Sequence, residues 1–168
     1  SAFIQWNQEQ LQKEQTTRPN LQKDMLLVLR FLYSGIMTVL HDQSQIFEVE
    51  HIYPVSYCSR LISDNGDSGW PISAIGNLML LPKPINRIKG EKLLAPEVER
   101  LMDKGKLAAD EKKRIQGYLL SPSIDAVVAE AVADKDSYLE FCDMRSNAIF
   151  EKLCENLGLK SGNFNRNR

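Results

Sequence analysis

Between Leu21 and Leu40 the sequence runs LQKDMLLVLRFLYSGIMTVL, an apolar stretch long enough either to cross a bilayer or to form the central helix of a buried core. Lys23, Asp24 and Arg30 interrupt it, and ionised groups at membrane depth are expensive. The stretch therefore predicts a core helix, with Met25, Leu26, Leu29, Leu32, Tyr33, Ile36, Met37 and Leu40 as its apolar face and no membrane partner. Asn20 can cap its start, because its side chain accepts from the first free amides. His41 follows its end, where a cation meets the negative pole of the helix dipole, and reads as structural.

Such a helix needs a core to enter, and 168 residues supply one. At this length roughly two thirds of the unfolded surface can be buried without disulfides or structural metal. Apolar content of 43% and charged content of 26% exclude disordered, collagen-like and mucin-like chains. Lys and Arg total 21 against 22 Asp and Glu, for a net charge of −1. Coating nucleic acid by bulk charge is thereby excluded, and a local basic patch stays open. Cys58, Cys142 and Cys154 form no CxxC pair, and with only two histidines no zinc finger can be assembled. They read as buried small hydrophobes in a reducing, cytoplasmic setting. The chain opens on Ser1 rather than Met, which suggests a longer gene product.

After residue 45 the pattern changes. Ile46 to Tyr53 is short, β-branched and aromatic, stops at Pro54, and predicts a strand. Residues 56–73 are rich in Ser, Asp, Asn and Gly and read as a long loop, a kind that tends to carry function. Ala74 to Leu81 predicts the partner strand, and Pro84 suits the first turn of a helix reaching about Leu94. Helical spacing returns over Glu97–Lys104 and Ala108–Leu120. Ser121-Pro122 opens a helix to about Ala133, and a final helix over Ser137–Leu157 directs Leu139, Phe150, Leu153 and Leu157 to the core before Gly158 stops it. Residues 1–18 read as a short polar helix or a linker, and the Lys160–Arg168 end as a mobile basic tail.

Chemically capable residues gather in the strand–loop–strand–helix insert. In FEVEHIYP (residues 47–54), Glu50 and His51 set a carboxylate beside an imidazole at a strand end. In IGNLMLLPKPINRIKGEK (residues 75–92), Asn77 opens the second strand and Asn86 lies nine residues on, in the first turn of the helix. Strand pairing with the helix folded back brings Glu50 and Asn86 together as two hard oxygen ligands, with His51 alongside. Such a set suits Mg²⁺ or Mn²⁺, which keep several waters and accept a substrate phosphate. A neutral imidazole beside the ion can deprotonate a water for attack on phosphorus. Lys83, Arg87, Lys89 and Lys92 surround the helix and can hold phosphates of a polyanion. Alone, His51 reads as a satisfied structural histidine, Glu50 as half of a surface salt bridge, and Asn86 as an ordinary early-helix polar residue; their spacing joins them into one site. Trp70 and Tyr53 flank it, and Trp70 suits packing as well as base stacking.

The sequence EH-x-x-P, then GN-L, then N-R-x-K resembles the ββα-metal nucleases of the HNH class, specifically the HNH domain at the C-terminus of GmrSD-type restriction proteins; its spacing is also similar to the HNH domain of CRISPR effector nucleases. Two departures stand out: Glu50 replaces the Asp of many relatives, and Asn86 replaces their final His. The resemblance implies a mainly α chain with a small ββα-metal core, α+β in class. It implies a single HNH nuclease domain over residues 1–168, with a helical segment at 1–45, the core at 46–94, a second helical segment at 95–158 and a mobile basic tail at 159–168. By the same resemblance Glu50 and Asn86 hold Mg²⁺ or Mn²⁺, His51 is the general base, Asn77 braces the loop carrying it, and Lys89 lies near the scissile phosphate. The implied activity is metal-dependent DNA endonucleolysis leaving 5′-phosphate and 3′-hydroxyl ends. The implied partners are DNA and an N-terminal ParB-like NTPase that senses modified DNA in phage defence. The competing expectations are a catalytically inactive module that binds DNA or protein, and a nuclease directed at RNA.

Overall fold

A computed structural model describes residues 2–16, 23–40, 46–119 and 132–159, with side chains assigned for all of these except 35–40, 111, 114, 116, 118 and 119. In chain order the elements are α1 (Ala2–Leu11), α2 (Lys23–Leu40), β1 (Phe47–His51), α3 (Val55–Asn65), a 3₁₀ turn (Ile75–Asn77), β2 (Leu78–Pro82), α4 (Lys83–Lys89), α5 (Leu94–Asp103), α6 (Ala109–Leu119) and α7 (Lys135–Asn156). The fold is mainly helical with one small antiparallel sheet, α+β in class. The expected Asn20 cap, the His41 role, the expected helix after Ser121 as far as residue 131 and the tail beyond 159 lie outside the described residues.

β1 and β2 pair antiparallel with Phe47 opposite Pro82, Glu50 opposite Met79 and His51 opposite Leu78. Two backbone bonds lengthen the ladder, Lys83 N to Ile46 O at 2.8 Å and Ile52 N to Asn77 O at 2.9 Å. β2 is buried along its whole length, which explains its unbroken LMLL run; β1 is half-buried. Helices α2, α4 and α6 all pack on β2, and α7 packs on the 3₁₀ turn. Met25, Leu29, Leu32 and Tyr33 of α2 lie in the core, as expected for a core helix. Among the described residues no helix is long and apolar enough to cross a membrane.

Three expectations are corrected. Residues 56–73 are not one loop, because α3 occupies Val55–Asn65. Cys58 and Ile62, one turn apart, face the core, and Gly66 at φ 73° supplies the left-handed stop. The second strand begins four residues later than Ala74, because Ile75–Asn77 wind into the 3₁₀ turn. The helix after Pro84 ends at Lys89, where Gly90 takes φ 55°, and α5 starts afresh at Leu94.

The last helix packs Leu153 against the core as expected, with Leu139 and Phe150 half-buried, but its fully buried stripe lies elsewhere. Asp134 and Ser137 close a reciprocal capping box at its start. Its buried residues are Tyr138, Phe141, Cys142, Arg145, Ser146, Ile149 and Cys154, while Leu157 is exposed. The stripe is hard to read because an arginine sits in its middle. Arg145 Nη1 donates to the carbonyls of Ile75, of Gly76 at 2.9 Å and of Leu78, while Nη2 reaches Tyr33 Oη at 3.4 Å. A buried guanidinium is tolerated where its donors are taken up. Here they gather the carbonyls of the turn that leads into β2.

Candidate metal and phosphate site

Residues alternate across a strand, so Glu48 and Glu50 share one face of β1. α4 lies across that face and presents Lys83, Asn86 and Lys89, three residues apart each time and therefore on one side of the helix. Asn86 Nδ2 donates to Glu48 Oε2 at 3.1 Å, and Lys83 Nζ stands 3.4 Å from Glu48 Oε1. Lys89 Nζ forms a short ion pair with Glu50 Oε1 and reaches the carbonyls of His51 at 3.3 Å and Gly90 at 3.4 Å. The contact anticipated between Glu50 and Asn86 is thus offset by two strand residues. The amide reaches Glu48, and the side chain on Glu50 is Lys89.

The charges differ in setting. Lys89 is 1% exposed and Glu50 is 15% exposed at the side chain. Burial raises the Glu50 carboxyl above its usual range, opposed by Lys89, and burial lowers the Lys89 ammonium, opposed by Glu50. Each partner opposes the shift that burial imposes on the other. Glu48 sits nearer solvent and is held below the usual carboxylate range, first by the Asn86 amide and then by Lys83.

His51 closes β1, half-buried, with its Nε2 below the surface. The backbone after it is tied down by Asn77, which is fully buried. Asn77 Oδ1 accepts from Tyr53 N at 2.8 Å, and Nδ2 donates to Tyr53 O at 3.1 Å and Ile72 O at 2.9 Å. One side chain therefore locks both polar groups of Tyr53, two residues beyond His51. Tyr53 itself is held edge-on to Phe141, ring centroids 4.7 Å apart. Asn77 is aimed by the turn around it, because Gly76 packs against the backbone of α7 at Cys142.

Of the four basic residues expected to hold phosphates, Lys83, Lys89 and Lys92 are in ion pairs with Glu48, Glu50 and Glu97. Arg87 is exposed, and its charge also acts on Glu48. Glu97, itself buried, also accepts from Arg100 Nε at 2.7 Å, so Lys92 serves the α4–α5 junction. Trp70 is buried, stacks on Tyr138 with centroids 5.0 Å apart, and donates to Asp67 at 2.6 Å; it packs the core. Cys58, Cys142 and Cys154 are free and buried, and burial pushes the first two thiols up to about 12.

Glu48 at the site and the buried role of Arg145 were not anticipated. Glu48 was visible in principle, because the alternation E-V-E puts two carboxylates on one strand face. Arg145 has no such signal, since one arginine in a helical stretch ordinarily marks a solvated side.

Among the described residues no three His, Cys, Asp or Glu side chains gather into a metal-ligating group. Glu48 and Glu50 share one strand face, and Asn86 turns its amide nitrogen toward Glu48. Beside them a cation, the Lys89 ammonium, is held by oxygen atoms, Glu50 Oε1 and the carbonyls of His51 and Gly90. That donor chemistry fits a hard divalent ion such as Mg²⁺ or Mn²⁺ and does not fit a thiolate- or imidazole-rich zinc site. Comparison with protein-family models, with curated proteins and with solved structures finds no match to this chain.

Proposed function

We propose that the chain is a metal-dependent endonuclease domain of the HNH type, acting on DNA phosphodiesters. The observation carrying this reading is the two-residue end of β1. Glu50 lies under α4 in an ion pair with Lys89, Asn86 bonds its strand-face neighbour Glu48, and the backbone at Tyr53, two residues past His51, is fixed by Asn77. A base that must meet a water in line with phosphorus needs such fixing, since small misplacements cost large rate factors.

Glu50 and Asn86 are the residues that would hold Mg²⁺ or Mn²⁺. The bound ion supplies charge neutralisation at the scissile phosphate and at the leaving 3′ oxygen. The His51 imidazole takes the proton of the attacking water. Asn77 keeps the ring's backbone in place, and exposed Arg87 contacts a neighbouring phosphate. Water adds to phosphorus as the 3′ oxygen departs and takes up a proton from solvent, leaving 5′-phosphate and 3′-hydroxyl ends. A net charge of −1 points to weak, sequence-independent DNA binding. Target choice then falls to another domain, for which the resemblance suggests a ParB-like NTPase sensor in phage defence.

A second reading, a catalytically silent DNA- or protein-binding module, draws on the ammonium seated at Glu50. End-labelled duplex DNA and RNA incubated with Mg²⁺ or Mn²⁺ separate the two. Metal-dependent cuts in DNA bearing 5′-phosphate ends support the nuclease, and cuts in RNA alone redirect its substrate. Intact substrates with a folded protein favour the silent module.

A further inference from the structure

We propose that Lys89 is a tethered placeholder cation, which occupies the carboxylate of Glu50 until a divalent ion displaces it. The inference rests on the metal-dependent reading above and adds a built-in threshold to it. Three observations carry it. The Lys89 ammonium is 1% exposed, yet it lies among Glu50 Oε1, the carbonyl of His51 and the carbonyl of Gly90, all oxygen ligands. Lys89 is the last residue of α4, followed by Gly90 at φ 55°, so its side chain leaves from the end of an element and not from its middle. And Glu50 shares its strand face with Glu48, so displacement of one positive charge by a divalent ion meets two carboxylates close together.

The placeholder has a physical purpose. A half-buried carboxylate with no counter-ion is costly, because its lost hydration is not replaced. Lys89 gives Glu50 a counter-ion and keeps the strand end formed while no divalent ion is bound. The same contact competes with the incoming ion, so the site fills only above a metal concentration that Lys89 raises. Lys89 then leaves the oxygens of Glu50 and becomes accessible.

Amine acetylation read by mass spectrometry tests this on the unaltered chain. Lys89 is protected without metal, and saturating Mn²⁺ is expected to increase its labelling at least tenfold, with exposed Lys104 unchanged. Binding of Mn²⁺ itself, followed by loss of the free-ion paramagnetic resonance signal, is expected to tighten at least tenfold in Lys89→Gln and to vanish in Glu50→Gln. If Mn²⁺ binds through Glu50 while Lys89 stays protected and Lys89→Gln binds no tighter, the placeholder is overturned and the nuclease reading stands. If neither the wild type nor Lys89→Gln binds Mn²⁺, the metal-dependent reading falls and the placeholder with it.

Discussion

At the scale of single residues, the site depends on side chains that hold backbone in place. Asn77 makes three hydrogen bonds, all buried, to Tyr53 and Ile72. Asn77→Ala leaves the Tyr53 N–H and carbonyl without this partner, and each such group costs about 1–3 kcal/mol. A loss of about 3 kcal/mol in urea unfolding, at unchanged m value, is the expected result; a loss below about 1 kcal/mol would show that the brace is dispensable. Glu97 gives a pH prediction. Its carboxyl is held at about 2, first by Arg100 and then by Lys92, from an ordinary 4.5. Because the folded value is depressed, its stabilisation is complete above pH 4.5 and disappears as pH falls through about 2. The stability gap between wild type and Glu97→Gln is therefore expected to be constant near neutrality and to close between pH 4.5 and 2. A gap that persists undiminished through that range contradicts the assignment.

At the scale of elements, the constraint is how closely the turn before β2 meets α7. A Cβ added at Gly76 comes within 2.6 Å of Cys142 Cα and collides with the Cys142 carbonyl oxygen, both backbone atoms that cannot swing aside. Overpacking of this kind costs about 1–3 kcal/mol and sometimes more. Gly76→Ala is expected at the upper end of that range, with a lower Tm and loss of any activity that needs Asn77 in place. A variant as stable as wild type would mean that α7 and the turn can part at little cost. The same contact explains what was legible. The strand pair, the helix after Pro84 and the core helix α2 follow from apolar runs and proline positions, which are local signals. The 3₁₀ turn at Ile75–Asn77 could not be read, because its shape depends on Arg145 and Cys142, far along the chain. α3 was hidden by its serines and asparagine, although Cys58 and Ile62 carry its helical spacing. At the site, the residues themselves stood out by type and order. Their partnering did not, because a shift of two strand residues decides whether Asn86 meets Glu48 or Glu50.

At the scale of the molecule, a helical frame holds a two-stranded sheet, with Glu48 and Glu50 on the face that α4 crosses. Two-stranded sheets are marginal alone, so α2, α4 and α6 must supply the support that β2 receives. The arrangement puts the candidate base, the candidate metal oxygens and Arg87 at one end of a well-packed core, where chemistry can depend on fixed positions. The most direct test is conversion of supercoiled plasmid to the nicked form by wild type and by His51→Ala, each with Mg²⁺, Mn²⁺ or EDTA. A His51-dependent metallonuclease predicts nicking by wild type with either ion, none with EDTA, and a loss of roughly a hundredfold or more in a folded His51→Ala variant. Equal cutting by the two proteins, or a folded wild type inert with both ions, would contradict it.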